Sequence, residues 1–201
     1  VEDVSDKNTH GSNIAYKIYL IDVHQINPDV KFPRANANRE VTTLPMLPGE
    51  YMKYFEAHDI PTYVGNGEKG DITTSGTNQF VAIMGGMRDQ LLNFIEEHAG
   101  GKFVILFKEI GEDQWYILGE YDRPMVLKSY EAKNDKDGRY ITFTFERTSV
   151  TQYYKYVGDI VKAPAEVHTA GTKDLAVKST SNSYEIPNGT DATYAIETVS
   201  G

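Results

Sequence analysis

The sequence Gly100–Arg147 decides the predicted fold, because it contains four consecutive strand-like stretches. The first, Lys102-Phe-Val-Ile-Leu-Phe-Lys108, is apolar at successive positions, which is typical of a strand buried on both faces in the middle of a sheet. A Gly/Asp turn connects it to Gln114-Trp-Tyr-Ile-Leu-Gly-Glu120, and a short turn between aromatic-rich runs predicts a β-hairpin. Two further strands, Met125–Tyr130 and Arg139–Glu146, complete a predicted antiparallel meander.

The last strand of this meander has one apolar and one polar face, because successive side chains of a strand point to opposite sides. The apolar face consists of Ile141, Phe143 and Phe145. The polar face consists of Tyr140, Thr142, Thr144 and Glu146. We therefore expect a sheet with a core side and a solvated side.

An amphipathic helix is predicted over Met87–Ala99, immediately before the meander. Its apolar stripe repeats with helical spacing and consists of Met87, Leu91, Phe94, Ile95 and His98. Gly100-Gly101 follows, where a helix commonly ends in a left-handed residue. The helix should pack on the sheet and connect a buried strand, Gln79–Met84, to the first strand of the meander.

The remaining segments are less regular. Asn13–Val23 is rich in Ile, Tyr and Val and predicts a strand. Pro48–His58 has apolar residues at helical spacing beside a proline, and helix and strand both remain open. Pro61–Asn78 is rich in Gly, Thr and Ser and predicts a long loop, a feature that in a compact domain usually serves binding or assembly.

Two regions are expected: residues 1–162 as the main β domain containing helix 87–99, and residues 163–201 as a small C-terminal β appendage. The appendage is Ser/Thr-rich, with strand candidates at 175–178, 183–186 and 193–199 and a turn signal at Asn188-Gly189. The fold class is α+β, mainly β, with antiparallel sheets forming a barrel or a sandwich and one packed amphipathic helix.

Composition excludes several classes of function. The 29 acidic residues outnumber the 20 Lys and Arg residues, giving a formal net charge of −9, and an acidic surface repels the phosphate backbone of nucleic acids. There are no cysteines, which excludes disulfides and thiolate metal sites. No apolar run approaches the length of a membrane-spanning helix, so no membrane partner is expected.

The motifs that suggest chemistry are better explained as turns. Gly65–Gly70 matches the G-x-G-x-x-G pattern, but the residues that follow are poor helix formers, and a dinucleotide site needs a helix there. Asp135–Gly138 resembles the start of a calcium loop but lacks its later acidic ligands. The five histidines are scattered without metal-binding spacing. We therefore expect no catalytic residue, no cofactor and no metal.

The order of elements resembles the tail tube proteins of phages and the tube proteins of contractile injection systems. The residues that carry the resemblance are Phe80–Met84, Leu91–Glu97, Gly100–Leu106, Trp115–Gly119, Pro124–Leu127 and Gly138–Phe145, which span about the middle half of the chain. The resemblance implies a virion protein, made in the cytoplasm of a bacterial host, whose subunits close into rings, commonly of six. The sheets of such a ring join into one inner barrel.

The resemblance also implies roles for particular residues. The loop residues expected to contact the next ring are Gly65, Asn66, Gly67, Glu68, Lys69, Gly70 and Asp71. The residues expected to line the lumen are Tyr140, Thr142, Thr144 and Glu146. The expected partners are further copies of the chain, other tail proteins of the virion, and DNA that passes through the lumen without specific binding.

A second hypothesis is a β-rich binding module, either an adhesin or a carbohydrate-binding domain. It is based on the aromatic content, which includes 14 tyrosines and a single tryptophan, Trp115. Aromatic rings stack on sugars, but tyrosine is equally common at subunit interfaces. Trp115 alternates with core residues in its strand, so we expect it to be buried rather than exposed.

Overall fold

The computed structural model describes residues 13–71, 73–136 and 138–163, together with the backbone of 177–178 and 183–184. The chain divides into two units, Val1–Ala163 and Pro164–Gly201. In the second unit, Val177–Lys178 and Ser183–Tyr184 pair as two short antiparallel strands. The strand candidate 193–199 and the Asn188-Gly189 turn lie outside the described residues, as does the region before residue 13.

The first unit contains ten strands and one α-helix among its described residues. The strands are β1 (Lys17–Asp22), β2 (Glu40–Val41), β3 (Lys53–Glu56), β4 (Thr62–Lys69), β5 (Thr74–Gly85), β6 (Lys102–Lys108), β7 (Trp115–Leu118), β8 (Met125–Asp135), β9 (Gly138–Thr148) and β10 (Tyr154–Tyr156). The helix is α1 (Asp89–His98). This mainly β architecture confirms the expected fold class, and the sheet is not closed into a barrel.

The strand β6 lies in the middle of the sheet, as its apolar sequence predicted. It pairs with β1 along one edge, and with β7 and the first two residues of β8 along the other. The predicted meander is therefore wrong at one step. The strand β8 does not follow β7 across the sheet but returns to the other end of the same edge of β6.

This arrangement folds the sheet into two layers. The six-stranded layer has the order β3-β1-β6-β7-β10-β2, and the four-stranded layer has the order β8-β9-β5-β4. The four-stranded layer is antiparallel throughout, whereas β10 and β2 pair in parallel, which makes the whole sheet mixed. The two layers meet face to face as a sandwich, with β6 running across the strands of the other layer. Phe103 of β6 contacts Phe145 of β9, and Phe107 contacts Phe80 of β5.

In the core between the layers, buried apolar and half-buried polar residues alternate along β9, as the sequence predicted. Ile141, Phe143 and Phe145 of β9 are at most 1% exposed, whereas the polar residues between them are half-buried on the opposite face. Burial of an aromatic or branched side chain of this size stabilises a fold by roughly 1.5–3 kcal/mol. A second core lies on the far side of the six-stranded layer, where Val104, Leu106 and Tyr156 are buried.

The helix α1 lies within the predicted range and buries the predicted stripe. Leu91 and Phe94 pack against the core between the layers, and Ile95 is buried in it. The ring of Phe94 lies within 5.0–5.7 Å of Phe55, Phe103 and Phe143. Gly100 follows with a φ of 75°, the left-handed conformation that glycine adopts without strain.

In the region before α1, one prediction is wrong and one open alternative is excluded. Pro61–Asn78 is not a long loop, because Thr62–Lys69 and Thr74–Gly85 form a continuous hairpin of paired strands. Pro48–His58 contains strand β3, so the helical alternative for this segment is excluded. In both cases pairing with a neighbouring strand outweighs the local preference of the residues.

Candidate assembly surface

The four-stranded layer ends in two open borders. Within the part of the chain that the structure describes, β4 pairs with a strand along one edge only, and that strand is β5. At the other end, β8 pairs with β9, and its far edge meets β6 only at Met125 and Val126. The Leu127 amide also donates to Gly101 O, at 2.9 Å. We call Thr62–Lys69 the β4 border and Lys128–Asn134 the β8 border.

Open borders of this length offer backbone donors and acceptors to another strand. Neither border contains a proline that would block pairing. On the β4 border, Val64 is 55% exposed, and Gly65 and Gly67 contribute no side chain that would cover the backbone. The two borders therefore form the surface of this unit best suited to pair with further strands.

The residues predicted to line a lumen do share one face of the four-stranded layer. Tyr140, Thr142, Thr144 and Glu146 are half-buried on the side opposite the core. Glu146 is the one carboxylate among these four, and its Oε1 accepts a hydrogen bond from Lys128 Nζ at 2.5 Å. The strand β9 is therefore polar on this face, whereas Val81 and Ile83 of β5 lie opposite Thr144 and Thr142 and make the neighbouring strand apolar there. The predicted carboxylate is paired with a cation rather than contributing an excess of negative charge.

The residues predicted to contact a neighbouring ring lie on the hairpin of β4 and β5. Gly65, Asn66, Gly67, Glu68 and Lys69 belong to β4, and Gly70 and Asp71 belong to the turn. The Gly76 carbonyl accepts a hydrogen bond from the Ser149 amide at 2.8 Å, so as far out as Gly76 the hairpin is bonded to the segment that follows β9. Beyond it the two strands pair only with each other, at Glu68–Ser75 and Lys69–Thr74.

Sequence reasoning missed a cleft beside the β4 border. Its volume is about 610 Å³. The residues that line it are Asn38, Arg39, Tyr63, Gly65, Tyr116, Gln152, Tyr153 and Lys155. We call this the tyrosine cleft. The tyrosine content was a signal for it, but its residues come from four separated parts of the chain and no local pattern connects them.

Aromatic contacts and one cation shape the tyrosine cleft. The ring of Tyr153 makes edge contacts with the rings of Tyr63 and Tyr116, at 5.3 Å and 5.2 Å. The Arg39 guanidinium donates to the Tyr153 carbonyl at 2.9 Å and lies 4.9 Å from the ring centre of Tyr154. Arg39 adopts a φ of 61°, uncommon for a residue other than glycine, and its backbone is bonded on both sides: its amide donates to Asn36 O at 3.0 Å, and its carbonyl accepts from the Lys155 amide at 2.9 Å.

Buried hydrogen bonds connect the β4 border to the segment after β9. Asn78 is fully buried, and its Nδ2 donates to Ser149 O at 3.2 Å and to Thr151 O at 2.7 Å. The Tyr63 hydroxyl lies 2.5 Å from Asn78 Oδ1 and 2.5 Å from Gln152 Oε1. Burial raises the pKa of Tyr63 to about 12. This network fixes the position of the cleft wall.

Arg147 completes the same region. Its guanidinium is buried and donates to Thr151 O at 2.8 Å and to Arg123 O at 3.3 Å, while its Nε has no partner among the described residues. Burial lowers the pKa of Arg147, with nearby Glu120 acting in the opposite direction. The carbonyl bonds make Arg147 a structural contact that holds the chain after β9 against the corner before β8.

Trp115 was predicted to be buried, and the structure buries it only in part. It is half-buried at the second core, where its ring contacts Tyr19 at 5.2 Å and lies 5.7 Å from Lys108 Nζ. It therefore does not form an open stacking platform.

A larger groove, of about 1510 Å³, runs between β3 and α1 and includes His24, His58 and His98. No group of three or more potential metal ligands occurs among the described residues.

Comparison with family models, with curated proteins and with solved structures finds no match to this chain. In the region that the structure describes, no helix is long and apolar enough to cross a membrane.

Proposed function

We propose that the chain is a structural subunit that assembles with copies of itself into rings, and that stacked rings form a tube-like conduit in a phage tail. The observation that carries this proposal is the four-stranded layer with one open border at each end. Because the borders differ, joining the β4 border of one copy to the β8 border of the next repeats the same contact around a ring. Such head-to-tail contacts close into a ring when the rotation fits.

The strand directions support this join. The four strands alternate in direction, so β8 and β4 run in opposite directions within one copy. Rotation about a ring axis preserves the direction of a strand along that axis. The β4 strand of one copy therefore meets the β8 strand of the next in an antiparallel arrangement, and the joined layers continue as one antiparallel sheet.

The face opposite the core would then line the ring. Thr142, Thr144 and the paired Glu146 give this wall hydroxyl groups and no unpaired cation. Affinity for DNA depends mainly on Lys and Arg contacts to phosphates, so such a wall offers DNA few sites at which to bind. This supports a conduit through which DNA passes, in a virion tail made in the bacterial cytoplasm together with other tail proteins.

Electron microscopy of the purified full chain, with its mass in solution, tests the proposal. We expect closed rings or tubes whose formation increases with protein concentration. A strict monomer at every concentration, with no rings or tubes, would contradict the proposal.

The second candidate is a β-rich binding module, and the tyrosine cleft is the observation that favours it. Three tyrosine rings with Arg39 and Lys155 form a surface on which a sugar ring could stack. Glycan-array binding by wild type that is lost in Tyr153→Ala, with the fold retained, would support this candidate. Ring assembly without glycan binding would exclude it.

A further inference from the structure

One aromatic residue on the β8 border has no place in its own chain's core. Tyr130 pairs directly with Phe143 of β9, and residues directly opposite each other in an antiparallel pair share a face. Phe143 is buried in the core, so Tyr130 also lies on the core side of the layer. Because β8 is the outermost strand there, Tyr130 remains 47% exposed.

The β4 border lacks side chains at two positions on the same, core-facing side of the layer. Its core-side positions include Tyr63, Gly65 and Gly67, because Tyr63 packs against the core and the side alternates along a strand. The core side of Gly65 is already filled by the Gln152 side chain and the Tyr63 hydroxyl of the same chain. A Cβ at Gly67 would have only ordinary contact with the Ser75 carbonyl, so Gly67 is the position at which the β4 border is open.

The alternation of side chains limits how the two borders can pair. In an antiparallel join, the core-side residues of both strands must lie on the same face of the joined sheet. A shift of one residue in the register would move every side chain of one strand to the opposite face. The alignment that keeps this rule and forms the most residue pairs places Tyr130 opposite Gly67. An aromatic residue across from an edge glycine supplies the packing that the glycine lacks.

We propose that Tyr130 of one copy packs over Gly67 of the next copy, with its ring at the edge of the tyrosine cleft. This inference rests on the proposed ring assembly and assigns Tyr130 as a specificity-determining residue of that contact. The cleft has room for the ring, at about 610 Å³. A tyrosine side chain buries about 150–250 Å² at such sites.

The charges of the cleft suit an aromatic ring from a second copy. Arg39 and Lys155 line the cleft, and no carboxylate is among the described residues that line it. The negative face of a phenol ring attracts a cation within about 6 Å.

Substitution of Tyr130 tests the contact. We expect Tyr130→Ala to raise the concentration required for ring assembly by about tenfold or more, because central aromatic anchors carry much of the energy of an interface. Tyr130→Phe should assemble close to wild type, since the ring remains. The matched control is Tyr16→Ala, which removes a similarly exposed tyrosine (43%) from the six-stranded side of the unit. Circular dichroism should show an unchanged fold for all three variants.

Cross-linking tests the geometry directly, since the chain has no cysteines of its own. A chain carrying Gly67→Cys and Tyr130→Cys should form a reducible ladder of covalent oligomers when the assembled protein is oxidised. A Cβ at Gly67 has only ordinary contact with Ser75, so this substitution fits the fold. The control pair Gly67→Cys with Tyr16→Cys should remain monomeric on a denaturing gel.

The outcomes separate the two proposals. Wild-type rings that form equally well in Tyr130→Ala and give no ladder would overturn the Tyr130 contact and leave the ring proposal intact. Absence of rings from wild type would overturn both. Rings, a ladder and a selective loss in Tyr130→Ala would support both.

Discussion

At the scale of single residues, the buried tyrosines make stability depend on alkaline pH. Burial raises the pKa of Tyr63 and of Tyr156 to about 12 each, from an ordinary value of 10.0. The neutral phenol is the form favoured by the fold, so this contribution is complete below about pH 10 and is lost as the pH rises toward 12. We expect the melting temperature to fall over this window.

A control isolates this effect. Tyr63→Phe and Tyr156→Phe should each reduce the dependence of the melting temperature on pH between about 10 and 12. The near-ultraviolet absorbance of phenolate reports the titration itself. A melting temperature with the same pH dependence in wild type and in both variants would contradict the assignment.

Asn78 is the residue on which the wall of the tyrosine cleft depends. Asn78→Ala removes two donated bonds: the Ser149 carbonyl loses its Asn78 donor, whereas the Thr151 carbonyl keeps the bond from Arg147. One unsatisfied buried group costs about 1–3 kcal/mol, so we expect a loss of about 1–3 kcal/mol in the free energy of unfolding. Asn66→Ala, which alters an exposed residue of the same hairpin, should cost less than about 1 kcal/mol. Denaturant titration measures both, and equal losses would contradict this role.

For single residues, the sequence predicted which face of the sheet a side chain lies on, but not which residue of the neighbouring strand lies beside it. Alternation placed Thr142 and Thr144 opposite the core correctly, because one buried face imposes a period of two. It could not place Lys128 beside Glu146, because a bulge between Leu127 and Ser129 shifts the register of β8. A bulge adds a residue to one strand without leaving a clear pattern in the sequence.

At the scale of elements, α1 closes the core through one aromatic residue. Phe94 contacts three other phenylalanines, so we expect Phe94→Ala to destabilise the unit by about 3 kcal/mol. Leu92→Ala on the same helix removes a side chain that is 37% exposed and should change stability by about 0.5 kcal/mol or less. Similar effects of the two substitutions would show that the helix does not pack as described.

The helix and the hairpin differ in how well the sequence predicted them. The apolar stripe of α1 repeats over the whole helix and is followed by glycine, so its range was predicted within two residues. The strand β4 and the first half of β5 contain several Gly and Asn residues, which are depleted in strands. Their pairing with each other and with β9 forms them, and that pairing depends on residues far away in the chain.

The tip of this hairpin is the element that would contact a neighbouring ring. A variant in which Asn-Gly replaces Glu68–Ser75 keeps the bond between Gly76 and Ser149 and should retain the fold. If the tip joins rings, this variant should form single rings that do not stack. Electron microscopy measures tube length, and tubes as long as those of wild type would contradict the role of the tip.

At the scale of the whole molecule, the proposed assembly depends on two borders that one copy leaves open. The tail-tube resemblance implied that the sheets of neighbouring subunits join and that a loop contacts the next ring, but it did not say which strands form the open edges. Edges could not be predicted from the sequence, because the order of strands places β4 and β8 at opposite ends of one layer. The tyrosine cleft has the same origin, since the fold brings Arg39, Tyr116 and Lys155 together.

The most direct test of the central claim is amide hydrogen exchange of the two borders as a function of protein concentration. If copies complete each other's sheets, amides of Thr62–Lys69 and Lys128–Asn134 should become protected as the protein assembles. The strand β3 pairs on one edge only and serves as an internal control, so Lys53–Glu56 should exchange at the same rate throughout. Border amides that exchange as fast in concentrated as in dilute protein would contradict the account.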